Sequence, residues 1–360
     1  MTRSTSDWLL AAPVTATSAK ADTPVFPYLV RLMRGEDLPA REAAGFFRAL
    51  TDSNIGSNQI AAALTALTAK GETFEELAGM ASVMLSLATK VKAPKGSVDI
   101  AGTGSSPLKT FNVSTAAALV ASGAGLTVAK QCNRGVTSKT GSTDVLTELG
   151  VKAAEEPQIA QLSLNGVGLS FMSAPKFHPA LRRLGDVRGR LGIRTCLNLL
   201  GLLANPASVS RHLVGVWHGS LLQPVAKALA LLKAEQAWVV HGEDGLDEVT
   251  LTGKTFVAAV SGNEVKTYTL TPADFGLKAA RIDHLKAVTP KESAHIIREV
   301  LASRRRDEAR SLIVLNAAAA LVIGGKARDP IHAARMAEQS IDSGQAQNKL
   351  ERLIQVTNKK

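Results

Sequence analysis

Two cysteines in 360 residues, Cys132 and Cys196, cannot build a disulfide framework, and neither has a CxxC partner. That excludes the small disulfide-stapled folds and points to a reducing, cytoplasmic setting. Aromatic residues are scarce at 4%, which leaves little material for a platform that stacks nucleic-acid bases. Long apolar runs are missing too. The stretch from Ser311 to Gly324 stops short of the roughly 20 residues a membrane span needs, and reads as a buried helix. With 45% hydrophobic and 20% charged residues, global disorder is excluded, and the chain can hold one large or two modest domains.

Acid is short relative to base. Asp and Glu number 31 against 42 Lys and Arg, a net charge of +11. Such an excess suits phosphorylated metabolites, nucleic acid or anionic lipid, and a merely solvated basic surface competes with all three. The basic residues from Arg304 to Arg310 and at Lys359-Lys360 lack interleaved aromatics and read as solvated. Residues 1–24, rich in Ser, Thr and Ala, have no apolar core followed by a cleavage site and read as a loose N-terminal extension. Asp7 and Asp22 argue against a transit peptide.

From Pro27 to Ala93 apolar residues recur at three and four positions, as in Ala43-Ala44-Phe46-Phe47-Leu50, which predicts a small all-α unit over about 25–95. At Ser97 the pattern changes. Val98-Asp99-Ile100-Ala101 reads as a strand, Gly102-Thr103-Gly104-Ser105-Ser106 as a turn, Ser114 to Gly123 as a helix and Leu126 to Ala129 as a second strand. That is a βαβ unit, and it implies an α/β domain over 96–360 with a mostly parallel central sheet flanked by helices. Further strands are expected at Val167 to Phe171, Ala237 to Val240 and Phe256 to Val260. The Arg-rich helical segment from Phe177 to Pro206 interrupts the strands. It is expected to return to the small α unit, completing it over about 176–212.

Four groups of residues carry chemistry. A glycine turn between strand and helix, Gly102 to Ser106, exposes backbone N–H groups beside a helix dipole and suits a diphosphate, although such turns also use glycine for steric reasons. Thr110, Asn112, Val113, Ser114 and Thr115 crowd the mouth of the next helix with more hydrogen-bonding groups than one cap requires. Lys130 to Ser142, with Gln131, Asn133, Arg134 and Ser138, starts at the carboxyl end of the second strand, where ligands of open α/β sheets bind. Third, Glu243, Asp244, Asp247 and Glu248 place four carboxylates in six residues after a strand. Magnesium takes such hard oxygen ligands together with substrate phosphates, whereas a solvated acidic turn needs no metal. His178, Arg182, Arg188, Arg190 and Arg194 form a basic helical stretch in which Arg182 and Arg190 read as solvated.

These residues resemble the motifs of the anthranilate phosphoribosyltransferase family. Gly102-Thr103-Gly104, Thr110 to Thr115 and Lys130 with Asn133-Arg134 resemble its diphosphate loops. Lys176 to Ala180, Arg188 with Leu191 to Thr195, and Asn198 to Gly201 resemble its acceptor side, and Gly245 to Glu248 its magnesium motif. Leu315-Asn316-Ala317-Ala318-Ala319 matches its helical framework. The resemblance runs in order from about residue 27 to 355. It implies a small α domain joined to a larger α/β domain, an active site between them, and a homodimer formed through the small domain. It implies magnesium held by Ser114, Asp247 and Glu248. Phosphoribosyl diphosphate would be held by Gly102 to Ser106, Thr110, Asn112 to Thr115, Lys130, Ser138 and Ser142. A small aromatic acceptor would face Gln131, Asn133, His178 and Arg188, with Arg188 nearest its carboxylate and acting with Asp247 and Glu248 in catalysis.

Three departures cluster where donor and acceptor meet. Ser105-Ser106 stands where the family usually has Gly-Asp, Gln131-Cys132 where it has His-Gly, and Leu202-Leu203-Ala204 where it has Pro-Leu-Thr. They motivate one rival, a different aromatic acceptor. The net charge motivates another, a regulatory or nucleic-acid-binding paralogue, which the retained Asp247-Glu248 pair opposes.

Overall fold

The computed structural model describes residues 23–104, 106, 108–133 and 141–359; of the expected N-terminal extension, residues 1–22 lie outside the described residues. The described residues open with four helices, α1 (Phe26–Met33), α2 (Ala40–Thr51), α3 (Ser57–Lys70) and α4 (Phe74–Leu87). Gly71, at φ +88°, ends α3 in a conformation that a side chain would strain. Thr73 and Glu76 then cap α4 reciprocally, Thr73 Oγ1 accepting from Glu76 N–H at 3.2 Å and Glu76 Oε2 from Thr73 N–H at 2.9 Å. Glu76 is fully buried and also accepts from Leu38 N–H and Lys70 Nζ, each at 3.0 Å. One carboxylate thus ties the start of α2, the end of α3 and the start of α4 together.

The α/β part follows as β1 (Val98–Gly102), α5 (Val113–Gly123), β2 (Val128–Cys132), α6 (Ser142–Glu148), α7 (Pro157–Val167) and β3 (Leu169–Ser173). Then come α8 (Ala174–Phe177), α9 (Arg182–Leu191), α10 (Leu197–Leu203), β4 (Arg211–Gly215), α11 (Leu222–Leu231) and β5 (Gln236–Gly242). The chain finishes with β6 (Thr255–Ser261), β7 (Glu264–Leu270), α12 (Pro290–Leu301), α13 (Glu308–Ile323), α14 (Pro330–Asp342) and α15 (Gln345–Thr357). Among the described residues the sheet has seven strands in the order β3-β2-β1-β4-β5-β6-β7, parallel from β3 to β5 and antiparallel thereafter. From β1 the chain winds first toward β3 and later toward β5, so the switch point lies between β1 and β4, where an open α/β sheet leaves a crevice at its carboxyl edge.

Strand alternation sends side chains into two cores. Ile100, Leu213 and Val240 join the Ala-rich helices α5 and α13, while Ala101, Val214 and Val239 join a core that includes α4, α10 and α11. Leu184 and Val187 of α9 sit in that same second core with α1 to α4. No described helix is long and apolar enough to cross a membrane.

Two expected strands are displaced. Gly125 and Gly168, at φ +89° and +81°, close the helices before them, so β2 and β3 begin two residues later than the apolar pattern indicates. Strands β4 and β7 and helix α7 were not legible in the sequence pattern.

Candidate active site

The crevice is built on two glycines that face each other in register, Gly102 at the end of β1 and Gly215 at the end of β4. Thr103 N–H donates to Gly215 O at 3.1 Å, and Gly104 turns the chain at φ +63°. Thr103 Oγ1 donates to Asp247 Oδ2 at 2.6 Å, and Ser106 Oγ donates to Gly245 O at 2.8 Å. The glycine turn and the acidic turn, far apart in sequence, are therefore tied directly. Around them opens a cleft of about 230 Å³ lined by residues of both turns, the mouth of α5, the end of β2, and α9 and α10.

The four carboxylates divide into two pairs. Asp244 accepts from the hydroxyls of Thr250 and Thr252 at 2.6 and 2.9 Å and from Leu246 N–H at 3.1 Å, and Glu243 accepts from Lys254 N–H at 3.1 Å. Those two brace the turn. Asp247 and Glu248 line the cleft instead. Burial, then the neighbouring Asp247 charge, push the Glu248 carboxyl up to about 8, while Lys130 and both the backbone and the hydroxyl of Ser114 pull it down. Adjacent carboxylates held together, Asp247 buried and Glu248 partly so, call for a cation. With the Ser114 hydroxyl they form an all-oxygen donor set that fits magnesium.

Lys130 is buried, and burial lowers its pKa against the charges of Asp99 and Glu248. Its Nζ bonds Ile100 O and Ser114 Oγ, the latter at 3.3 Å. Thr110 pairs with Lys286 in an isolated bridge, Asn112 exchanges hydrogen bonds with Ser293 on α12 at 2.9 and 3.0 Å, and Val113 lines the cleft. Thr115, in contrast, is fully buried and does not line the cleft, because one helical step turns its side chain toward the core. Ser142 Oγ accepts from Asn133 N–H at 3.1 Å and donates to Asn133 O at 3.2 Å. Ser105, Arg134 and Ser138, singled out in the sequence, lie outside the described residues.

At the other end, Arg188 of α9 reaches the cleft with its Nε buried and unpartnered, and burial lowers its pKa. Gln131 and Asn133 line this end. His178 does not: it is buried behind Gln131, its Nε2 3.2 Å from Gln131 Oε1, and burial pushes its pKa down to about 4. Cys132 is buried against Met172 O, and burial pushes the thiol up to about 11, which leaves it unreactive. Also lining the cleft are Lys109 and Leu197, to which sequence reasoning assigned no role, and Asn198, Gly201 and Leu202, which it placed only within the acceptor-side segment and its edge. The signal for the last four was the segment after Thr195, legible there only as a motif without individual contacts.

The chain matches two family models, the helical bundle domain of a glycosyl transferase family over residues 26–88 and its a/b domain over residues 94–347. An anthranilate phosphoribosyltransferase of Rubrobacter xylanophilus is 44% identical over 90% of this chain and 94% of its own length. One from Desulfosudis oleivorans is 42% identical over 91% and 97%. Among solved structures, the anthranilate phosphoribosyltransferase of Thermus thermophilus superposes with a TM-score of 0.86 at 35% identity, covering 92% of this chain and 99% of that one. The Saccharomyces cerevisiae enzyme in complex with PRPP and Mg gives 0.84 at 28% identity, covering 93% and 98%. In sequence and fold alike, this chain belongs to the anthranilate phosphoribosyltransferase family.

Proposed function

We propose that the chain transfers the phosphoribosyl group of magnesium-complexed phosphoribosyl diphosphate to the amine of anthranilate. The observation that carries this reading is the Asp247–Glu248 pair, tied to a glycine turn and a helix mouth and facing a cleft that ends at Arg188, whose buried Nε has no partner. The yeast relatives complexed with PRPP and Mg, and with 4-fluoroanthranilate, bind ligands of this chemistry.

Asp247, Glu248 and Ser114 would hold magnesium, which when bound neutralises charge on the diphosphate. The backbone of Gly102 to Gly104 and the mouth of α5 cradle the phosphates, joined by Thr110, Asn112 and Lys130. Arg188 pairs with the acceptor carboxylate, a fork that suits two oxygens. As the bond from C1 to the diphosphate oxygen breaks, positive charge develops at C1 and the amine nitrogen bonds there from the other face, later losing a proton. The chain's contribution is orientation and electrostatics, and no side-chain nucleophile is needed. Buried and neutral, His178 acts only by holding Gln131.

The same reading sets the small domain at about 25–95 completed by about 176–212, supported by the core that α9 shares with α1 to α4. It also proposes a cytoplasmic homodimer through that domain, supported by Phe26 and Met33 of α1, 43% and 54% exposed.

The test is pyrophosphate release from phosphoribosyl diphosphate and magnesium with a panel of aromatic amines and acids. Anthranilate is expected to give the highest rate, and no release with any acceptor would sink the enzymatic reading. Glu248→Gln should lower turnover far more than His178→Ala. Equal losses in the two variants count against magnesium binding by Glu248 and a bracing role for His178.

A further inference from the structure

Helix α13 carries one amide in an apolar run. Asn316 is fully buried between Leu315 and Ala317, where an unpaired amide is strongly disfavoured. Both ends of it are engaged with a single residue. Its Oδ1 accepts from Val249 N–H at 2.9 Å, and its Nδ2 donates to Val249 O at 2.9 Å and to Leu312 O at 3.0 Å. Val249 lies outside any strand and directly follows Glu248. The side chain therefore grips its backbone as a neighbouring strand would, through the peptide that leaves Glu248.

A second constraint acts on the peptide before it. A Cβ on Gly215 would stand 1.6 Å from Asp247 O and 2.4 Å from its carbonyl carbon. Both are backbone atoms, so no rotamer change relieves the clash. The acidic turn rests on the end of β4 with no space for a methyl group.

We propose that Asn316 and Gly215 are positioning residues that set the Asp247–Glu248 pair for the magnesium-complexed diphosphate, acting through the turn's backbone without touching the ligand. The proposal rests on the phosphoribosyl-transfer reading of this cleft. It explains why the longest buried helix tolerates an amide, and why β4 ends in glycine at that position.

The experiment is calorimetric titration of phosphoribosyl diphosphate into the full-length chain over a range of magnesium concentrations, with thermal unfolding recorded in parallel. In Asn316→Ala and Gly215→Ala the magnesium needed for half-maximal binding should rise about 10- to 100-fold, the usual effect of removing a group that orients a metal ligand. Leu321→Ala, a core truncation in the same helix, should lower the unfolding temperature and leave the magnesium requirement unchanged. If the two variants unfold earlier but bind with the wild-type magnesium dependence, the proposal is overturned. Should Asn316→Ala fail to fold, Asn316→Ser and Gly215→Ala, the latter removing no hydrogen bond, decide by the same titration. A wild-type chain that binds no diphosphate with magnesium overturns the proposed function itself, whereas wild-type binding with unaltered variants overturns the clamp alone.

Discussion

Arg188→Met separates binding from stability at the acceptor end of the cleft. Arg188 is half-buried, its Nε is buried without a partner, and burial lowers its pKa. A buried donor left unpaired costs about 1–3 kcal/mol, so replacing it by an apolar side chain of similar length should leave the fold unharmed or firmer. For a chain of this length that is a rise of roughly 1–2 °C in unfolding temperature per kcal/mol. Binding should move the other way. Loss of a charge-assisted pair with the acceptor carboxylate costs about 1.5–3 kcal/mol, or roughly 10- to 150-fold in kcat/KM for anthranilate. The KM for phosphoribosyl diphosphate should change little. Scanning calorimetry and steady-state kinetics with each substrate varied in turn give both numbers on one preparation. A fall of several degrees, with both KM values rising together, would show that Arg188 holds the fold and refute the reasoning.

Two further outcomes follow from buried charges. Glu76→Ala leaves Lys70 its contacts to Asp37 Oδ1 at 2.7 Å and Gly71 O at 2.8 Å but removes the acceptor of the Leu38 and Thr73 N–H groups, and should cost about 1–3 kcal/mol for each donor left unpaired, read by urea denaturation; a total loss under about 1 kcal/mol would contradict the hub role of Glu76. His178 and His212 are buried with pKa values pushed down to about 4, so the unfolded chain binds more protons between pH 4 and 6.5, and stability is lost as pH falls through that window. Asp99, pushed up to about 6 by burial, works in the opposite direction as pH falls below 6. The loss between pH 7 and 5 should therefore shrink by roughly 2 kcal/mol in His212→Gln, and an unchanged loss would mean that His212 is not the group titrating.

Much of the site was legible because phosphate chemistry is written in short local segments. Gly102 to Gly104, the hydroxyls before α5 and Lys130 each announce themselves by residue type beside a strand or helix end. What stayed hidden depends on direction. Ser114 and Thr115 look equivalent as letters, yet a rotation of about 100° per residue puts one in the cleft and the other in the core. Glu243 and Asp244 look as suited to a metal as Asp247 and Glu248, and only the partners Thr250, Thr252 and Lys254 remove them from the cleft. His178 reads as a ligand until Gln131 is found in front of it. Strand β4 was missed because five residues beginning Arg211-His212 carry little periodicity, although it is the strand that completes the switch point.

By itself the sequence determined the class of fold and the residue types of the donor side, since periodicity, glycine turns and clustered oxygen ligands act over a few residues. Only the tertiary structure decided which carboxylates face the cleft, that Arg188 reaches it with a buried Nε left without a partner, and that Asn316 and Gly215 seat the acidic turn. Those depend on contacts across 67 residues for Asn316 and Val249, and on a backbone passing within a methyl radius of Gly215. Neither quantity exists until the chain has closed on itself.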